Sequence, residues 1–121
     1  MSVLIVDGAN VVGARPDGWW KDRAGAAARL YDALCAAHLE AETVILVLEG
    51  QAKSGVPATR TPGMRVVHAP KDGDSTIVAQ ARAAHDRGDR VTVVTSDRAL
   101  AANVSAYGDV RPSSWLLGRL P

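Results

Sequence analysis

The first ten residues, Met1-Ser-Val-Leu-Ile-Val-Asp-Gly-Ala-Asn10, constrain the fold more than any other stretch, because a short aliphatic run stops on an acid followed by Gly, Ala and Asn. An unbroken apolar run closed by polar and Gly punctuation reads as a central strand buried on both faces. In an open α/β sheet, ligands bind in the crevice beyond the carboxyl ends of such strands. Asp7 is thereby a carboxylate delivered to a candidate site.

The same pattern recurs downstream. Arg90-Val-Thr-Val-Val-Thr-Ser-Asp97 is a second aliphatic run ending in an acid, and Lys71-Asp-Gly-Asp74 opens a helical pattern with two more. Carboxylates that converge in a crevice raise one another's pKa unless a cation sits between them. Oxygen-rich clusters of this kind suit Mg²⁺ or Mn²⁺.

The 121 residues are read as one domain spanning the whole sequence. A composition of 47% apolar and 22% charged residues is that of an ordinary soluble protein, and no apolar run is long enough to cross a bilayer. No cationic, apolar leader opens the chain, so cytoplasm is the expected compartment. Cys35 has no partner for an internal disulfide, and its Ala-rich surroundings read it as a small buried hydrophobe. A net charge of +1 announces no nucleic-acid partner. Its distribution says more: Lys53, Arg60, Arg65 and Lys71 lie between Gln51 and Lys71 with no Asp or Glu among them. That segment reads as a basic irregular loop, either meeting phosphates or simply solvated.

Strand and helix patterns alternate, which predicts an α/β fold with a mostly parallel sheet flanked by helices. Strands are expected at Val3–Val6, Thr43–Leu48, Met64–His68, Val91–Thr95 and Asp109–Arg111. Ala24, Ala27, Ala28, Tyr31, Leu34, Cys35 and His38 recur at helical steps and predict an amphipathic helix over Lys21–Leu39. Ser75 or Asp74 is the expected cap of a second helix, with Ile77, Val78 and Ala81 inward and its end near Gly88. Ser96-Asp97 has the form of a third cap, with Leu100, Ala101 and Val104 inward and Gly108 as the stop. Ser113-Ser114 caps a last turn holding Trp115, Leu116 and Leu117.

With Asp7-Gly-Ala-Asn10, Gly73-Asp74-Ser75 and Thr95-Ser-Asp-Arg98 in place, the chain resembles bacterial NYN domain proteins, the PIN-like ribonucleases, over nearly its whole length. The resemblance implies a three-layer PIN-like fold with strand order 3-2-1-4-5 and Mg²⁺- or Mn²⁺-dependent endonucleolytic cleavage of RNA. It assigns Asp7, Asp74 and Asp97 as metal ligands and adds Asn10 to the catalytic set. Glu49 falls where relatives often carry Asp. One departure is Val78, which stands where relatives commonly place another acid one helical turn after Asp74.

In that scheme Asn10, a neutral amide, orients a phosphate or a water without adding repulsion, and Glu49 supports the ligands from behind. Ser96 orients Asp97 or bonds a backbone amide, because no His stands near a comparable strand end to make it a nucleophile. Arg15, Arg23, Lys53, Arg60, Lys71 and Arg98 are phosphate-binding candidates. Trp19-Trp20 either stacks on bases or staples a helix entrance to the core, the latter for at least one ring. Asp72 favours the helix dipole or faces water, and His38, His68 and His85 read as structural or surface residues. Two other classes compete. A Toprim-like enzyme fits Asp72-Gly-Asp74 but leaves Thr95-Ser-Asp97 and Asn10 unexplained, and a non-catalytic RNA-binding or interaction module shares the same fold. Self-association and any protein partner are left open by the sequence.

Overall fold

The central strand β1 (Ser2–Asp7) pairs in parallel with β2 (Thr43–Leu48) on one side and β5 (Arg90–Val94) on the other in the computed structural model, which describes residues 1–121. Beyond β2 lies β4 (Met64–His68), also parallel, and β6 (Asp109–Arg111) completes the parallel set beside β5. The expected order of these parallel strands holds. One strand was not expected: β3 (Arg60–Thr61) folds back antiparallel on β4, so the six-stranded sheet runs β3-β4-β2-β1-β5-β6. A Gly at position 63 with φ of 80° makes the turn between them, so the irregular basic loop contains a hairpin.

Five helices cover the two faces: α1 (Gly8–Gly13), α2 (Arg23–Ala36), α3 (Gly73–Asp86), α4 (Arg98–Val104) and α5 (Ser113–Leu117). Leu4, Val6, Leu46 and Val94 pack with Val11, Leu30 and Leu116 on one face. Val3, Ile5, Val47 and Val93 pack with Ile77, Ala81, Leu100 and Val104 on the other. The alternation of strand side chains dictates this division. Because the crossovers from β1 run outward to β2 while α3 returns the chain to β5, the chain reverses direction across the sheet between β1 and β5. This is where the crevice of a doubly wound sheet opens. No helix is long and apolar enough to cross a membrane.

Several local expectations are corrected. Helix α1 was missed because six residues opening on Gly carry no periodic signal. It exists because Asp7 caps it, accepting a hydrogen bond from Asn10 N at 3.3 Å. Gly8 is required there, since a Cβ would sit 2.5 Å from Val47 O. Helix α2 is shorter than Lys21–Leu39: Trp19–Lys21 forms a separate 3₁₀ turn, and Asp22 caps α2 by accepting from Gly25 N at 2.9 Å. Its buried stripe is Ala26, Ala27, Leu30 and Leu34, rotated from the expected one. Alanine suits either face, so only the bulky leucines set the direction. Cys35 is therefore exposed rather than buried.

Asp72, and not Ser75 or Asp74, caps α3, accepting from Ser75 N at 2.7 Å. Strand β5 ends at Val94, α4 ends before Gly108, and Pro112 precedes α5 without a side-chain cap. Trp19 packs against the core while Trp20 is 59% exposed, so the two rings divide as the staple reading required of at least one.

The rotated α2 face has a direct test. Leu30→Ala is expected to destabilise by about 2–5 kcal/mol, whereas Cys35→Ser stays within about 0.5 kcal/mol, both read by denaturant unfolding. Under native conditions Cys35 should react completely with a thiol reagent.

Candidate acidic site at the carboxyl edge

Strand alternation carries Val3, Ile5 and Asp7 to the face covered by α3, and Val91 and Val93 with Thr95 to the same face one strand away. The register pairs Val6 with Val94, so Asp7 and Thr95 leave adjacent strand ends side by side. Asp7 is only 5% exposed, and its Oδ2 accepts a hydrogen bond from Thr95 Oγ1 at 2.8 Å. Thr95 Oγ1 in turn accepts from Asp97 N at 3.1 Å. Asp97 then caps α4, its Oδ1 accepting from Leu100 N at 3.0 Å. One hydroxyl thus couples the Asp7 carboxylate to the backbone of Asp97.

The remaining acids come from flanking elements. Glu49 follows β2, and its Oε2 accepts from Gly73 N at 2.8 Å at the start of α3. A Cβ on Gly73 would lie 3.2 Å from that carboxyl carbon, so glycine permits the close approach. Asp74 stands in the first turn of α3, where the helix dipole favours a negative charge. Burial pushes the Asp7 pKa above its ordinary 3.8; hydrogen bonds from Thr95 and Asn10 oppose the shift, and the charges of Asp74 and Glu49 add to it. Partial desolvation raises Asp74, with Asp97, Glu49 and Asp72 adding like-charge repulsion. Asp72 behaves oppositely, its two hydrogen bonds from Ser75 holding its pKa below the ordinary value.

None of Asp7, Glu49, Asp74 and Asp97 is paired with a basic side chain. No three acidic, His or Cys side chains stand close enough to form a ready-made ligand set. The donor chemistry still fits a hard divalent cation: the acids repel one another without a counter-charge, and Mg²⁺ characteristically keeps several waters between itself and a carboxylate.

Asn10 is used structurally. Its Oδ1 accepts from Ser96 N at 2.8 Å and from Ser113 Oγ at 2.6 Å. The backbone donor at Ser96 identifies that atom as oxygen, leaving the amide nitrogen as the end free to meet a ligand. Ser96 Oγ accepts from Ser113 N at 2.9 Å, so Asn10, Ser96 and Ser113 lock α1, the β5–α4 junction and α5 together. The sequence gives Thr95 no role of its own and Ser113 only that of a cap. For Thr95 the signal was available in its alternation with Val91 and Val93 just past the end of β5, whereas Ser113 lies 103 positions from Asn10 and had none.

The expected phosphate-binding residues separate. Arg98 opens α4 and Lys71 precedes the α3 cap, both exposed near the acids. Lys53 is tied to Ala69 O at 3.1 Å. Arg15 follows α1 with its Nη1 enclosed and without a hydrogen-bond partner. Arg23 lies over the Trp19 ring, 5.0 Å from its centroid. Arg60 is not brought to this edge at all: it sits in the β3–β4 hairpin beside the amino ends of β2 and β4. His68 is structural, its Nε2 lying 2.7 Å from Val56 O.

The YacP-like NYN domain family matches residues 4–119. The crystal structure of Rae1 (YacP) from Bacillus subtilis superposes with a TM-score of 0.73 at 22% identity, covering 98% of this chain and 72% of that one. A tryptophan-to-leucine mutant of the same protein gives a TM-score of 0.64 at 21% identity, with 98% and 74% covered. No curated protein sequence matches the chain.

Two outcomes follow from the geometry. Thr95→Val keeps the shape but leaves Asp7 Oδ2 buried without its donor, and should destabilise by about 1–3 kcal/mol in chemical denaturation. Because the Asp7 and Asp74 pKa values are raised in the folded state, their stabilising contribution is complete below the ordinary aspartate value of 3.8 and is lost as pH rises through the raised values. In chelator, this pair's contribution to stability should therefore fall as pH rises above 3.8 through the raised values, and Asp7→Asn should flatten that fall in a thermal-unfolding series.

Proposed function

The chain belongs to the YacP-like NYN domain family, and we propose on that footing that it is a divalent-metal-dependent endoribonuclease, hydrolysing RNA phosphodiester bonds at the acidic carboxyl edge of the sheet. The observation that carries this reading is the group of four acids, Asp7, Glu49, Asp74 and Asp97, gathered from three strand ends and a helix start with no basic partner. Such a group is unfavourable unless it holds a cation.

Asp7, Asp74 and Asp97 would hold Mg²⁺ or Mn²⁺, directly or through water, with Glu49 anchoring the start of α3 behind them. When bound, such an ion neutralises charge developing on the phosphoryl oxygens and makes water a better nucleophile. Thr95 orients Asp7 by donating to Oδ2 and favours its charged form, and the Asn10 amide nitrogen, left free by the bonds to Oδ1, would donate to a phosphate oxygen. Arg98 and Lys71 supply positive charge for the flanking backbone, with Ser96 and Lys53 acting by fixing loops around the site. The working unit is taken as residues 1–121, in a cytoplasmic setting with RNA as partner. The Toprim-like alternative is disfavoured because it gives no role to Thr95, Asp97 and Asn10, whose contacts hold the acidic edge together. A non-catalytic RNA-binding module is favoured by one observation, the lack of a ready-made three-ligand set.

Incubation of the purified chain with structured and unstructured RNA, in Mn²⁺, Mg²⁺ or chelator, separates the two. The nuclease reading expects internal cleavage only with the divalent ion. Asp97→Asn retains an oxygen that can cap α4 and should remain folded, yet lose cleavage by about two orders of magnitude or more, together with metal-dependent thermal stabilisation. Full cleavage by a homogeneous Asp97→Asn preparation would falsify the mechanism, and metal-independent binding without turnover would establish the module.

A further inference from the structure

Arg60 and Arg65 stand directly opposite each other in the antiparallel β3–β4 pair. Like charges in that relation destabilise a sheet, so the arrangement is a local cost. Arg87, at the C-terminal cap of α3, faces the same open depression of about 840 Å³. The acid lining it is Asp89, which is already engaged: Oδ2 lies 3.3 Å from Arg87 and Oδ1 3.5 Å from the Met1 ammonium. Arg60 and Arg65 have no ion-pair partner. Burial and then the neighbouring charges of Arg60 and Arg87 push the Arg65 pKa downward, in keeping with three like charges sharing the depression. The chain carries a net charge of only +1, so this concentration is not a by-product of a basic protein.

We infer that the Arg60, Arg65 and Arg87 depression is a binding site for the phosphates of a nucleic-acid backbone. Guanidinium forks match phosphate oxygens geometrically and remain charged at any working pH. Backbone rather than base is the target, because no aromatic side chain lines the depression to stack on a base. Arg65 pairs in register with Ile45, near the start of β2, whereas the acids stand at the opposite ends of the strands. Strands of this length span roughly 15–20 Å. The depression is therefore a second contact, holding RNA beyond the segment that enters the acidic edge. The identity of the nucleic acid rests on the nuclease reading; the phosphate site itself does not.

The test is fluorescence anisotropy of the full chain in chelator, with a long RNA hairpin and with a single-stranded hexanucleotide, across a salt series. Replacing all three arginines with Gln should weaken hairpin binding about tenfold or more at low salt and reduce the logarithmic salt slope by about 0.9 per lost phosphate contact. The corresponding triple Lys variant should keep the slope, and hexanucleotide binding should be unaffected. Relief of the like-charge pair means that Arg65→Gln should not lower Tm. Arg60→Gln alone, at an exposed position, repeats the measurement should the triple variant misfold. A chain that never cleaves RNA but shows this slope loss supports the site while failing the nuclease reading. Unchanged hairpin affinity and slope, or no hairpin binding by the parent chain, overturns the inference. So does inorganic phosphate or adenosine monophosphate displacing the hairpin at equal phosphate concentration and raising the Tm of the parent but not of the triple Gln variant, since that assigns the depression to a small free anion.

Discussion

The hydrogen bond from Thr95 to the buried Asp7 carboxylate holds the carboxyl edge of the sheet in the form that everything around it requires. A carboxylate with 5% exposure is costly to keep charged, and donors to both its oxygens are what keep it there. Those donors come from the two directions in which the chain leaves β1 and β5. Asn10 N belongs to α1, and Thr95 stands at the turn into α4. The same Asp7 side chain therefore caps one helix, ties two central strands at the point where the fold reverses, and presents an acid to the crevice.

Around that bond the polar contacts form a continuous lattice rather than isolated pairs. Thr95 receives Asp97 N, Asp97 caps α4, and Asn10 binds both Ser96 and Ser113. Glu49 attaches the end of β2 to the beginning of α3. Each acid of the edge except Asp74 carries a structural hydrogen bond, so the site is held by the same contacts that stop strands and start helices. Capping and strand termination place three of the four carboxylates although the acids repel one another.

Charge is divided along the strand direction in a way that the net value conceals. Uncompensated acids occupy the carboxyl edge, and Arg60, Arg65 and Arg87 occupy the amino edge. A protein of near-neutral charge can in this way carry two opposite local fields, one suited to a cation and one to phosphates.

Much of this was legible in one dimension. The aliphatic runs, their acidic ends and the mostly parallel character of the sheet followed from hydrophobic patterning, because doubly buried strands admit few polar residues and end abruptly where solvent begins; the strand order came from the family resemblance. Asp7, Asp74 and Asp97 were marked by the same boundaries. Short-range ambiguity hid the rest of the local structure: six residues made α1 too brief for a period, alanines left the α2 stripe undirected and misplaced Cys35, and Asp72 took the cap from Ser75 and Asp74. Long-range contacts were hidden for a different reason. That Asn10 meets Ser113, that Thr95 reaches Asp7 and that Arg87 joins a hairpin pair depends on which strand lies beside which, and no local pattern encodes it. The sequence by itself determined which segments form the buried strands and that they give way to acids, since burial is local. Only the tertiary structure decided which of those ends share an edge, because pairing register and crossover direction act between segments distant in the chain.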